Sequence, residues 1–199
     1  MVPMFTGIVQ GLGVLGERRG TVLQIQVPQP MRVRLARGAS IAVNGVCLTV
    51  RELGEDSFWA DLSSETASRT TLGETRRGGR VNLELPVSPS GLLDGHLVLG
   101  HIDAVGRVKT IRQDDGGWRI IVAFPPEHRG RLAEKGSVAV DGISLTPFSI
   151  TGTTFQCAIV PQTYAETTLA QWAAGDPVNL EFDILGKYVA EAIARDHAH

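Results

Sequence analysis

Cys47 and Ser144 are the small nucleophilic side chains that stand at the same place in a pattern the chain uses twice. Cys47 lies in Gly38–Val50, GASIAVNGVCLTV, and Ser144 in Lys135–Pro147, KGSVAVDGISLTP. Ser40, Ala42, Val43, Gly45, Leu48 and Thr49 recur as Ser137, Ala139, Val140, Gly142, Leu145 and Thr146. A thiol or hydroxyl beside a threonine could hold a proton, orient a ring or add to an electrophilic carbon. His101, in GHLVLGHID, is a second proton-transfer candidate, because imidazole takes and gives protons near neutral pH. The bland readings stay open: free cysteines are commonly inert packing residues, and a lone histidine is commonly structural or merely exposed.

Other chemistries find no footing. His96 and His101 are an odd number of residues apart and face opposite sides of an extended strand, which argues against a zinc pair. No CxxC or HExxH spacing occurs. GISLTP lacks the second glycine of a GxSxG elbow. GIVQGLG does not match GxGxxG, and there is no P-loop.

The elements that must position these groups follow from the repeat. Its offset of 97 residues (Thr146 against Thr49) persists: Phe58 maps to Phe155, Glu65-Thr66 to Gln162-Thr163, and Val81–Glu84 to Val178–Glu181. The chain is a tandem duplication. Asn44-Gly45 and Asp141-Gly142 are pairs that tolerate the positive φ of a type I′ hairpin turn. Beyond each turn the side chains alternate. Val46, Leu48 and Val50 share one face and Cys47 and Thr49 the other; Ile143 and Leu145 oppose Ser144 and Thr146. A small barrel is filled by its own apolar side chains, so the Cys47/Thr49 and Ser144/Thr146 faces must point outward. Two homologous outward polar patches suggest a site between barrels.

Turn signals about every ten residues predict six strands per half: Phe5–Leu15, Thr21–Val27, Ser40–Val43, Val46–Glu52, Ser57–Leu62 and Arg80–Leu85, with their counterparts from His96 to Phe182. A helix is expected over Glu65–Leu72, capped by Ser63 or Ser64, and another in Gln162–Trp172. Pro86–Gly95 reads as a linker. The expected fold is mostly β: two tandem six-stranded, Greek-key-like closed β-barrels related by duplication, plus a C-terminal α-helix. The expected division is residues 1–94, 95–182 and a tail of 183–199. In the tail, Leu185, Tyr188, Val189, Ala192 and Ile193 recur at helical spacing, which fits either a helix folded onto its own barrel or an oligomer contact.

The 199 residues are 43% hydrophobic and 20% charged, with a net charge of −2, so no global charge calls for nucleic acid or an anionic membrane. No stretch approaches the ~20 apolar residues of a membrane span. MVPMFTGIVQ lacks the marks of a signal peptide, and two cysteines make no disulfide framework, so a reducing cytoplasm is the expected location.

MFTGIVQG, NGVCLTV, GHLVLGHI, DGISLT and FDILGKYV, in that order and spacing, are together similar to riboflavin synthase of the α-chain type. The resemblance covers essentially the whole chain. It implies a dismutation without cofactor or metal: two molecules of 6,7-dimethyl-8-ribityllumazine per site exchange a four-carbon unit, giving riboflavin and 5-amino-6-(D-ribitylamino)uracil. It further implies a homotrimer held by the tail helix, active sites between the N-terminal barrel of one subunit and the C-terminal barrel of another, and association with lumazine synthase.

Carried over by motif, the resemblance implies an N-terminal pocket of Gly7, Ile8 and Val9, of Cys47, Leu48 and Thr49, and of Asp61, Leu62, Ser63, Ser64, Glu65 and Thr66. The C-terminal pocket would comprise Gly100, His101 and Ile102, then Lys135, then Ser144, Leu145 and Thr146. Ala158, Ile159, Val160, Pro161, Gln162 and Thr163 complete it. Ser40, Cys47, His101 and Thr146 are the expected catalytic groups. Cys47 and His101 would handle protons, with Cys47 or a water adding to the acceptor. Ser63, Ser64 and Gln162 depart from the family pattern, as do the extra residues Met1–Pro3 and Pro147, which stands where the repeat has Val50. The alternatives are a lumazine-binding protein that does not turn its ligand over, and a cysteine hydrolase in which Asp103 orients His101.

Overall fold

Strand alternation sets the two barrel interiors. In the computed structural model, which describes residues 3–196, the first half forms β1 (Gly11–Arg19), β2 (Val22–Gln26), β3 (Ser40–Val43), β4 (Val46–Leu53), β5 (Ser57–Asp61) and β6 (Arg80–Glu84). They close in the order β1-β2-β5-β4-β3-β6. Val46, Leu48 and Val50 are buried, while Cys47 is half-buried and Thr49 exposed. Phe58, Leu72 and Leu83 are fully buried in the same core, each such side chain contributing about 1.5–3 kcal/mol. The turn between β3 and β4 has the expected positive φ, 46° at Asn44 and 76° at Gly45.

The second half repeats the plan with β7 (Ala104–Asp114), β8 (Gly117–Ala123), β9 (Val138–Val140), β10 (Ile143–Leu145), β11 (Pro147–Phe148), β12 (Thr154–Ile159) and β13 (Pro177–Phe182). Its order is β10-β9-β13-β7-β8-β12-β11, so the two ends of the sheet are pieces of one strand divided at Thr146. Proline is the reason. In the first half the Val50 N–H donates to Ala39 and the Val50 carbonyl accepts from Gly38; Pro147 keeps the second bond, from Lys135, but has no N–H for the first. Seven hydrogen-bonded segments therefore stand where six strands were expected.

Between strands lie helices α1 (Gln29–Arg32), α2 (Ser64–Arg69) and α3 (Pro161–Glu166), and α4 (Ile184–Asp196) follows the last strand. Ser63 caps α2 by accepting from the Thr66 N–H at 3.0 Å. The helices expected over Glu65–Leu72 and Gln162–Trp172 are each an α turn followed by a 3₁₀ turn, at Thr71–Gly73 and Thr168–Gln171. The unanticipated α1 carries a proline in its first turn and inserts Met31 into the core.

Strands expected from Phe5 and from His96 instead begin at Gly11 and Ala104. Residues preceding them have other partners. Phe5 and Val98 exchange backbone hydrogen bonds at 2.7 and 3.1 Å. The Glu84 carboxylate accepts from the Thr6 and Gly7 N–H groups at 2.6 and 3.0 Å, and that of Glu181 from Leu99 and Gly100 at 2.7 and 2.9 Å. An approximate twofold relation governs the junction. Asn82 donates to the Asp141 carbonyl and accepts from the Thr168 N–H; Asn179 donates to the Asn44 carbonyl and accepts from the Thr71 N–H.

Asp183 precedes α4, accepting from the Leu185 N–H at 3.0 Å. Leu185, Tyr188, Val189 and Ile193 are each more than half exposed, so this face is not folded against its own barrel. Met1, Val2 and residues 197–199 lie outside the described residues, and with them most of the expected Met1–Pro3 extension and the end of the tail. Among the described residues no helix is long and apolar enough to cross a membrane.

Candidate functional site

Cys47 and Ser144 face outward because their neighbours face in, and a segment from the other repeat covers each of them. The Cys47 N–H donates to the Gly100 carbonyl at 3.0 Å, and the Ser144 N–H to the Gly7 carbonyl at 2.8 Å. Gly7 and Gly100 take φ of 76° and 79°, and a Cβ on either would lie within 3 Å of the covered residue's backbone nitrogen. Glycine alone meets both demands.

Two pockets result. One, about 190 Å³, is lined by Val46, Cys47, Glu65, Thr66, Arg69, Thr70, Gly100, His101 and Ile102. The other, about 230 Å³, is lined by Ile143, Ser144, Gln162, Thr163, Glu166, Thr167, Gly7, Ile8 and Val9. Each residue of one has its repeat counterpart in the other. The grouping expected from sequence is thereby corrected: Gly7, Ile8 and Val9 belong with Ser144, and Gly100, His101 and Ile102 with Cys47. The entry segments cross over.

Leu48, Leu62, Leu145 and Ile159 are buried in the barrel cores, so their side chains are not available to a ligand on the outer face. Thr49, Asp61, Thr146, Ala158 and Val160 are exposed on outer surfaces. Asp61 forms an exposed ion pair with Arg51 at 2.8 Å. Ser40 pairs with Thr49 across β3–β4. Ser63 and Ser64 cap and open α2, and Pro161 opens α3. Lys135 places its Nζ 5.0 Å from the Phe148 ring centre.

Sequence reasoning missed Arg69, Thr70, Glu166 and Thr167. The available signal was helical spacing: each lies one turn beyond Glu65, Thr66, Gln162 or Thr163, on the same face. Arg69 approaches Glu65 at 3.4 Å, whereas Glu166 accepts from the Gln162 amide at 3.2 Å. The Cys47 pocket thus carries a cation where the Ser144 pocket carries a carboxylate.

His96, weighed from sequence only as half of a zinc pair, was not expected at this site. Its Nδ1 is 2.7 Å from the Ser144 Oγ, and the residue is 7% exposed. The first repeat has no counterpart: in this segment the offset is 93, Gly100 against Gly7, so Pro3 stands at the equivalent position. Burial holds the His96 ring below the usual histidine range.

Burial also pushes the Cys47 thiol above its ordinary value, reinforced by the Glu181 charge and opposed by a hydrogen bond with Ser40. At neutral pH it is therefore a thiol, suited to holding a proton. Asp103 ion-pairs with Arg131 and Lys187 at 3.1 and 2.7 Å and accepts from the Phe182 N–H. It is committed to the start of α4 rather than to orienting His101, which removes the orienting acid of a cysteine hydrolase.

Residues 6–86 and 99–183 match the family model of the lumazine binding domain. The chain is 41% identical over 194 residues to a riboflavin synthase of Mycobacterium bovis, covering 94% of this chain and 96% of the relative. It is 40% identical over 197 residues to that of Photobacterium phosphoreum, covering 97% and 90%. A solved structure of LumP complexed with 6,7-dimethyl-8-(1'-D-ribityl) lumazine superposes with a TM-score of 0.80 at 22% identity, covering 89% of this chain and 98% of that one. At that identity the likeness speaks for the fold.

Proposed function

Because the chain belongs to the riboflavin synthase family of two-repeat lumazine-binding proteins, we propose as its reaction the dismutation of 6,7-dimethyl-8-ribityllumazine. A four-carbon unit passes between two molecules, leaving riboflavin and 5-amino-6-(D-ribitylamino)uracil. The observation that carries this reading is the pair of pockets with matching linings. Donor and acceptor are the same compound, and related pockets suit them. Holding both in reacting geometry supplies much of the acceleration.

The pockets share no lining residue and open on different barrels, which supports a site assembled from the Cys47 pocket of one subunit and the Ser144 pocket of another. The exposed face of α4 supports an oligomer contact, and a homotrimer is the assembly we infer. A cytoplasmic location and an association with lumazine synthase belong to the same reading. So does the division into barrels of residues 1–94 and 95–182 and a tail of 183–199, although the crossed entry segments make each pocket depend on both halves.

At the reacting centre, the acidic C7 methyl of one lumazine loses a proton to a base, and a nucleophile adds at C7 of the other. His101 and Cys47, which line one pocket, handle protons. The protonated state of Cys47 favours water over the thiol as the adding nucleophile. Ser40, beside Cys47 on the sheet, supports its thiol, and Thr146 and Ser144 orient the partner ring. Lys135, on the Ser144 barrel, fixes a polar tail or ring oxygen.

The test is incubation of the protein with 6,7-dimethyl-8-ribityllumazine alone, with chelator present. Riboflavin should form at half the rate of lumazine loss, with the pyrimidine in equal amount. A change in ligand fluorescence without riboflavin would overturn the reading and leave a binding protein.

A further inference from the structure

Gln10 and Asp103 hold equivalent places in the two entry segments, offset by 93 as Gly7 is from Gly100. Each accepts from the residue that ends its own barrel. The Gln10 amide oxygen takes the Leu85 N–H at 3.4 Å, and the Asp103 carboxylate takes the Phe182 N–H at 2.9 Å. The likeness stops there. Beyond Leu85 the chain runs into the linker, whereas beyond Phe182 it turns into α4, and Lys187 of that helix reaches back to the Asp103 carboxylate at 2.7 Å. Arg131, in the 3₁₀ turn Pro126–Arg131, donates to the other Asp103 oxygen at 3.1 Å. The helix is seated on the same turn, for a Cβ on Gly186 would fall 3.0 Å from the Arg131 carbonyl oxygen.

This bond ends where the Cys47 pocket begins. Asp103 directly follows His101 and Ile102, which line that pocket. The segment is therefore held at both ends by carboxylates: Glu181 accepts from the Leu99 and Gly100 N–H groups, and α4 fixes Asp103. Burial pushes the Glu181 carboxyl up to about 7, against the pull of Lys187 toward the ionised form that accepts both bonds. The Lys187 and Asp103 side chains are only 20% and 11% exposed, so salt screens this pair less than it does a surface pair.

We propose that Lys187 is a positioning residue for the Cys47 pocket: through Asp103 it ties α4 to the entry segment that carries His101, so that the seating of the tail helix sets where His101 stands. The Ser144 pocket has no such tie, because Gln10 is neutral and no helix follows Leu85. The helix whose exposed face supports an oligomer contact is thus coupled to one pocket and not to the other. The inference rests on the reading of this pocket as a lumazine site for its effect on turnover, though not for its effect on the segment.

Two measurements on the full-length protein test it. Hydrogen exchange at Leu99 and Gly100 should quicken about tenfold in Lys187→Met, the worth of one hydrogen bond to a charged group, while Thr6 and Gly7 keep their protection. Loss of assembly alone would uncover both pockets alike, so equal quickening of the two segments, or none, would overturn the proposal. The second measurement is kcat/KM for 6,7-dimethyl-8-ribityllumazine. Lys187→Met should lower it about tenfold, and Lys187→Arg should restore most of the loss. Asp103→Asn, which keeps an acceptor for the Phe182 N–H but loses the charge, should match Lys187→Met, and the double variant should be no worse than either. Multiplying losses, or an arginine variant as weak as the methionine variant at equal thermal stability, would also overturn it. Failure of the unmodified protein to make riboflavin would count against the functional reading alone, because the exchange result stands apart from turnover.

Discussion

Gly45 and Gly142 touch across the junction of the two repeats: a Cβ on either would fall 2.7 Å from the other's backbone nitrogen. The hairpin turns that announce the duplication in the sequence are also the surfaces on which its two copies meet. Around them Asn82 and Asn179 reach across to the Asp141 and Asn44 carbonyls, each at 2.9 Å. The junction is polar and buried, and an asparagine of each copy partners backbone groups of the other.

Gly142→Ala is therefore expected to damage the joint rather than one hairpin. The residue has a φ of 76°, which costs an L-residue about 1–2 kcal/mol, and the methyl must also displace the opposing backbone. Urea denaturation should show a loss of at least about 2 kcal/mol. An unchanged midpoint would mean that the turns do not pack as described.

Asp141 stands where the first repeat has Asn44, and each accepts from an asparagine N–H at 2.7 Å. Burial pushes the Asp141 carboxyl up to about 7 from an ordinary 3.8, against the Asn179 hydrogen bond. A carboxyl whose folded pKa is raised binds its proton more tightly when folded. Its contribution is thus complete below about pH 4 and is lost as pH rises through about 7. Asp141→Asn should stabilise the protein at pH 8 by about 1–3 kcal/mol and change little at pH 4. Chemical denaturation at the two pH values checks this.

Glu84 lies in the first repeat but holds the segment covering Ser144 in the second. In Glu84→Gln an amide NH₂ replaces one acceptor facing the Thr6 and Gly7 N–H groups, at a cost of about 1–3 kcal/mol. Hydrogen exchange should quicken at Thr6–Val9 while Leu99–Ile102, held by Glu181, keeps its protection. Turnover should fall about tenfold or more. Equal loosening of both segments would contradict the separate clamps.

Lys135 has a φ of 61° where its repeat counterpart Gly38 has 83°. Lysine is strained there, and its ammonium lies over Phe148. Lys135→Gly should raise thermal stability, by about 1 kcal/mol, while raising KM for the lumazine. A gain in stability with KM unchanged would remove Lys135 from the binding surface.

The duplication, the turn type, the inward and outward faces of each hairpin and the family are all legible in the sequence, because each depends on local periodicity or on matching one stretch with another. Cys47 and Ser144 are outward-facing for a reason any reader of the strand can apply: Val46, Leu48, Ile143 and Leu145 must be buried. Which segment covers which residue is not local. Gly7 and Gly100 sit in equivalent contexts in the two repeats, so the pattern is equally compatible with each covering its own barrel or the other. Long-range bonds decide it, through Phe5 with Val98, Cys47 with Gly100, and Ser144 with Gly7. The contact of His96 with Ser144 was not legible for the same reason, since the two are distant in the chain and the repeat counterpart of His96 is a proline. The break at Thr146 was foreshadowed by Pro147, but only the lost bond to the opposite strand shows what the proline removes. The sequence by itself determined what each half is built from and what the family does with it. The crossing of the entry segments, which makes each pocket the work of both halves, was decided by the tertiary structure, because it depends on pairing between the repeats and not on any pattern within one.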